Sequence, residues 1–299
     1  MHTDQSTRSR WTSLLSRAGV MVGAGGLALL GASTAAAPQA AATLQLSLRP
    51  NHVATSIPGA TRALTAQPAA TSPCWASSNW SGYAVATTSS LSCQPSSNVA
   101  YTSVSGTWTV PAVSASPGST YSAAWLGIDG FNNDTLIQTG TEQDYYSRSA
   151  HYSAWWTTSA QNFEEQPISE PVKAGDVITA TITEVDALTH LWTISLTDSS
   201  ESPNWTFTMN ETYTGPGASA EWIIEAPGVN GRVATLAHYS TTTFNLDSVN
   251  GTSPSLVAGD GGELVQGNFF RSQVVSIPSG PANGDEFAMA YGSVAPAVP

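Results

Sequence analysis

The chain has 299 residues, 41 % of them apolar and only 10 % charged, with a formal net charge of −12. From residue 74 onward the cations are Arg148, Lys173, Arg232 and Arg271 alone, among many carboxylates, which argues against nucleic acid or an anionic membrane as partner, since both need clustered Lys or Arg. The scarcity of Lys and Glu and the lack of a Gly repeat argue against coiled coil, ordinary helical protein and collagen.

Arg8, Arg10 and Arg17 precede an apolar run, Ala18 to Leu30, and then small residues through Ala37. This is the pattern of a secretory signal over residues 1–37, so a secreted, extracellular protein without stable membrane association is expected. Residues 38–73, rich in Ala, Thr and Pro, read as a pro-segment or flexible linker. The folded domain is expected over 74–299. In an oxidising compartment its only two cysteines, Cys74 and Cys93, are expected to pair as a structural staple.

Beyond residue 74, short runs rich in Thr, Val, Trp and Tyr alternate with period two between Gly, Pro, Asn and Ser breaks. Strands are predicted at 79–87, 100–110, 121–128, 134–141, 150–158, 176–184, 190–198, 204–212, 219–225, 234–247, 262–266, 272–277 and 285–292. In 176–184, Ile178, Ala180 and Ile182 share one face, and Val177, Thr179, Thr181 and Thr183 the other. No stretch suits a helix of three turns. The expectation is an all-β sandwich or barrel with one solvated face per sheet. Asn-x-Ser/Thr triplets at Asn79, Asn133, Asn204, Asn210 and Asn250 carry little weight in so Ser/Thr-rich a chain.

The nucleophile elbow, the zincin helix and the Asp-Thr/Ser-Gly motif are all absent. His151, His190 and His238 have no ligand at metal spacing, and no metal or other cofactor is expected. Chemistry is left to carboxylates and amides. Two segments are loaded with them: Ala124 to Gly130, continuing through Leu136 to Glu142, and Ala220 to Pro227. On a strand Glu221, Ile223 and Glu225 share a face, so at least one carboxyl is partly desolvated and suited to acid/base work.

These stretches carry a resemblance. Asn79-Trp80-Ser81-Gly82, Thr107 to Pro111, Trp125 to Asp129, Gln138-Thr139-Gly140, Tyr152 to Trp156, Lys173 to Asp176 and Ala220 to Glu225 stand in the order found in the G1 (eqolisin) glutamic peptidases. The chain resembles that family in its bacterial-type form. The resemblance implies an antiparallel, concanavalin-like sandwich of two large sheets and an acid-active endopeptidase, made as a zymogen, with a Gln/Glu dyad. By motif position the dyad falls on Gln138 and Glu225, and Trp80, Trp125, Asp129, Glu142 and Trp155 fall on substrate-binding positions. Glu142 replaces the family's Asp, Thr157 follows the Trp pair where an acid is often found, and Gly228 stands where some relatives carry an acid.

The chemistry this implies is hydrolysis of protein or peptide substrates by a monomer. Glu225 would accept the proton of water and return it to the leaving amine, and the Gln138 carboxamide would stabilise the oxyanion. The two groups are expected to converge in an open groove, with a bell-shaped pH profile on the acid side. The other classes open to such a sequence are a secreted lectin-like domain, using its Trp side chains, and a glycoside hydrolase with two carboxylates.

Overall fold

The strand Val177–Asp186 shows how this sequence makes sheets. Ile178, Ala180 and Ile182 are fully buried and the Thr residues between them are partly exposed, as the period-two pattern requires. The computed structural model describes residues 73–299, apart from 90, 201, 203, 269 and 270, and two short pieces ahead of them, 52–53 and 62–63. The expected signal segment, 1–37, and most of 38–73 lie outside the described residues.

The strands are β1 (His52–Val53), β2 (Arg62–Ala63), β3 (Trp75–Ser77), β4 (Trp80–Ala86), β5 (Ser103–Thr109), β6 (Ala123–Ile128), β7 (Ile137–Tyr146), β8 (Ser149–Thr158), β9 (Gln166–Ile168), β10 (Val177–Asp186), β11 (Leu191–Asp198), β12 (Trp205–Thr212), β13 (Ser219–Glu225), β14 (Gly228–Val229), β15 (Arg232–Val233), β16 (Thr242–Val249), β17 (Gly261–Asn268), β18 (Arg271–Pro278) and β19 (Phe287–Tyr291). Among the described residues the only helical pieces are single 3-10 turns at Ser159–Gln161 and Ala258–Asp260.

One continuous ladder runs β12-β11-β10-β5-β16-β19-β18-β17-β4-β13-β6-β7-β8-β9. It doubles back through β19, β18 and β17, so the two expected sheets are joined along one side. Except for β3 on β17, the pairings in this ladder are antiparallel. The halves face one another across a core of Trp108, Leu126, Ile128, Ile178, Ile194, Trp222 and Phe244. Two indoles tie them together: Trp108 Nε1 donates to Thr141 Oγ1 at 3.0 Å and Trp222 Nε1 to the Ser105 carbonyl at 2.9 Å. Each satisfies a buried N–H that would otherwise cost free energy. Cys74 and Cys93 form the expected disulfide.

Two expectations need correction. The predicted strand 234–247 starts only at Thr242; before it the chain makes isolated bridges, Leu236 to Tyr121 and Tyr239 to Val113. One solvated face per sheet holds for β10–β12 and fails for β4, β6 and β13, where every residue is buried. A second apolar cluster covers the outward face of those strands. It joins Trp80, Trp125, Trp155 and Ile223 to Cys74, Trp75, Phe131 and Leu136.

Candidate active site

The site is built on that covered face. Antiparallel register sets Glu225 beside Trp80 of β4 and Ala123 of β6, and Ala123 beside Glu142 of β7. Two residues along, Ile223, Trp125, Gly140 and Trp155 form the next row. Two further, Glu221, Gly127, Gln138 and Thr157 form a third. Because side chains alternate, all of these project from one side of the sheet. The structure thus brings Gln138, Glu225, Trp80, Trp125, Glu142 and Trp155 onto a single face.

Glu225 is 1 % exposed and its carboxyl is held at both oxygens. Trp125 Nε1 donates to Oε2 at 2.9 Å and Asn79 Nδ2 to Oε1 at 3.4 Å. Local sequence fixes the orientation of Asn79. The Ser77 hydroxyl donates to Asn79 Oδ1 at 2.9 Å while its oxygen accepts the backbone N–H groups of Asn79 and Trp80. The small Ser turn therefore leaves the Asn79 amide N–H2 facing Glu225. The Asn79 carbonyl also accepts the Ala226 N–H at 2.7 Å, locking the two segments together. Trp125 packs edge-on against Trp80, ring centroids 4.8 Å apart.

Gln138 is fully buried, and neither its Oε1 nor its Nε2 has a hydrogen-bond partner. The indole N–H groups of Trp80 and Trp155 are buried and equally unpartnered. Gln138 and Glu225 therefore do not bond to each other. Their backbones lie about 10 Å apart across the sheet and about 13 Å along it, with Trp125 on the strand between. The Trp125 ring lies between them. Its Nε1 meets Glu225, while its Cζ3 lies 3.0 Å from where a Cβ on Gly127 would stand. Gly140 lets the ring sit there, since a Cβ at that position would fall 2.4 Å from Trp125 Cβ.

Asp129 occupies the end of β6 in the left-handed region, φ 71°. Its Oδ2 accepts from Tyr213 Oη (2.7 Å) and Gly217 N (2.9 Å), its Oδ1 from Ala218 N (2.6 Å) and Asn133 Nδ2 (2.8 Å). All four donors belong to the protein, so the carboxylate anchors the 129–133 turn and the 217–218 loop beside the site. The Asn79 triplet is buried against Glu225. No sequence signal links Asn79 to Glu225, 146 residues away; only the Asn79-Trp80-Ser81-Gly82 motif hinted at a role. Among the described residues the expected open groove is not found: Gln138, Glu225, Trp80, Trp125 and Trp155 are each at most 1 % exposed. Two pieces of chain from before residue 73 are laid at this end of the face. β1 pairs with β14, three residues beyond Glu225, and β2 pairs with β3, just ahead of Trp80. Among the described residues no three His, Cys, Asp or Glu side chains converge as metal ligands would.

Fold and site together define a sandwich with a Gln/Glu face, and the comparisons name its class. The chain belongs to the Peptidase A4 family, matched over residues 78–276, in agreement with the glutamic-peptidase resemblance. Among relatives, aspergillopepsin-2 of Aspergillus niger is 29 % identical over 177 residues, 51 % of this chain and 61 % of that protein. The chain thus spans about three fifths of that curated relative. Scytalido-glutamic peptidase with a transition state analog inhibitor superposes with a TM-score of 0.55 at 21 % identity, over 72 % of this chain and 98 % of that one. A second structure of scytalido-glutamic peptidase, with a peptide based transition state analog, gives 0.50 at 20 % identity over the same shares. These likenesses show the fold.

Proposed function

We infer that this chain is a secreted, acid-acting glutamic endopeptidase that cleaves peptide bonds with Gln138 and Glu225. The observation that carries this reading is the unspent hydrogen-bonding capacity of one aromatic face. The Gln138 carboxamide and the Trp80 and Trp155 N–H groups are buried without partners beside a carboxyl held at both oxygens. Each orphan costs about 1–3 kcal/mol, a cost a protein keeps where a ligand supplies the missing partner. A peptide offers carbonyls for the three donors and an apolar flank for the indoles. The peptide based transition state analog in scytalido-glutamic peptidase supports the same substrate class.

In the mechanism, Glu225 as carboxylate takes a proton from water while the water oxygen bonds to the scissile carbonyl carbon. The carbonyl oxygen becomes an oxyanion and accepts from the Gln138 N–H2. Collapse of the adduct breaks the C–N bond, and Glu225 returns the proton to the leaving nitrogen. Asn79 and Trp125 set the direction of Glu225, so the base is preorganised. Trp80, Trp125, Trp155 and Glu142 line the substrate's path, and Asp129 holds the neighbouring loop.

Residues 38–73 act as a pro-segment, removed during maturation after a signal at 1–37. The pairing of β1 beyond Glu225 and of β2 ahead of Trp80 supports this, because both attachments fall at the Glu225 end. The mature enzyme acts as a monomer on protein substrates. The full chain, pre-incubated in acid and then given denatured protein or a polysaccharide at pH 3, 4 and 7, tests the reading. New peptide termini in the acid arms are expected. Sugar release with intact protein would overturn it.

A further inference from the structure

In register, the residue facing Gln138 across the sheet is Glu221, with only Gly127 between them. We propose that Glu221 is a positioning residue for Gln138, the two joined across the strip above Gly127 through a buried water. The inference rests on the peptidase reading above. Gln138 and Glu221 are both fully buried, and none of their four side-chain polar atoms makes a hydrogen bond of ordinary geometry, the Ser219 hydroxyl being the donor nearest in effect to Glu221. Gly127 lets the neighbours close in over the strip: a Cβ there would stand only 3.1 Å from Gln138 Cβ and 3.0 Å from the Trp125 ring. The same ring walls the strip on the Glu225 side. A buried water needs two to four polar partners, and these two side chains supply them.

The groups around Glu221 keep it neutral in acid. Burial pushes its carboxyl well up; the Ser219 hydroxyl, one step along the same face, opposes that, and the Asp129 carboxylate adds to it. The phenols of Tyr213 and Tyr101 also feel its charge, and both are themselves raised by burial. Ala84 of β4, the neighbour in register on the other side, brings no charge. As an acid, Glu221 donates through the water to the Gln138 carbonyl and leaves the N–H2 for the oxyanion. As an anion it accepts instead, draws the N–H2 toward itself, and adds negative charge beside the oxyanion. Activity is therefore lost as Glu221 ionises on the alkaline side.

The test is the pH–rate profile of the full chain after acid incubation, for wild type, Glu221→Gln, Glu221→Leu and Glu225→Gln. Glu221→Gln is neutral at every pH and keeps both donor and acceptor. It is expected to retain acid activity and to carry its alkaline limb about one pH unit or more higher. Glu221→Leu is expected to lose about 100-fold in kcat with KM little changed, the loss typical of a misplaced oxyanion donor. A Glu221→Gln profile that superposes on wild type overturns the inference, and this holds even if the Leu variant fails to fold. An inactive Glu221→Gln also overturns it, because the carboxylate itself would then be needed. If Glu225→Gln stays active, the Gln/Glu reading fails; if Glu225→Gln is dead while Glu221→Gln behaves as wild type, only the role of Glu221 fails.

Discussion

Asp260 offers a stability prediction that can be worked through in numbers. It closes the 3-10 turn before β17, is 3 % exposed, and its Oδ2 accepts the Val257 N–H at 3.0 Å. Its own carbonyl accepts Trp75 Nε1 at 2.9 Å. Burial pushes the carboxyl up to about 7, against about 3.9 in an unfolded chain. The folded state then holds a proton that the unfolded state releases between those values. The stabilisation is complete below about pH 4 and is lost as pH rises through about 7. Three pH units at 1.36 kcal/mol each amount to about 4 kcal/mol. The buried carboxyls of Glu221 and Asp247, both raised well above their ordinary values, act in the same direction. Asp260→Asn keeps the shape and the acceptor for Val257 and cannot ionise. Urea unfolding at pH 4 and pH 7.5 should show the wild type losing several kcal/mol and the variant losing up to about 4 kcal/mol less. Equal losses in the two proteins would refute the linkage.

Other substitutions probe the frame and the site. Opening the Cys74–Cys93 bridge with a double Ser variant should cost about 3 kcal/mol of unfolding free energy, since the bridge closes a loop 19 residues apart in sequence; an unchanged melting temperature would contradict it. Gly140→Ala places a methyl 2.4 Å from Trp125 Cβ and from the Ala124 carbonyl oxygen. It should destabilise by about 1–3 kcal/mol and lower kcat by moving the indole off Glu225. Asn79→Ala removes a donor to Glu225. A loss of about tenfold to a hundredfold in kcat, measured on a peptide substrate at acid pH, is expected for a charge-assisted bond.

Much of the fold was legible because period-two alternation is local. The β10 register of Ile178, Ala180 and Ile182 needs no knowledge of what packs against it. Strands of two or three residues, such as β3, β9 and β14, are too short to repeat the alternation and left no trace. Residues 234–241 alternate like a strand but form a strap touching Tyr121 and Val113, a distinction that depends on distant partners. The covered outer face did leave a sign: Trp-Ser-Gly-Tyr-Ala-Val-Ala, Ala-Ala-Trp-Leu-Gly-Ile and Ser-Ala-Glu-Trp-Ile-Ile-Glu are apolar on both sides, the pattern of strands buried on two faces. The shared face of Glu221 and Glu225 was readable from spacing. Which of them meets Trp125 and Asn79, and which looks across Gly127 at Gln138, depends on cross-strand register. No single segment encodes that.

The measurement that bears hardest on the catalytic assignment is kcat/KM of Glu225→Gln on denatured protein at pH 4, beside Gln138→Ala. With Glu225 as the group that carries the proton in both directions, its loss should lower the rate by about 10²–10⁴-fold. Removal of the Gln138 donor should cost about 10²–10³-fold, mainly in kcat. A Glu225→Gln enzyme that folds and works within about tenfold of wild type, below the range of general acid–base catalysis, would place the chemistry on some other side chain.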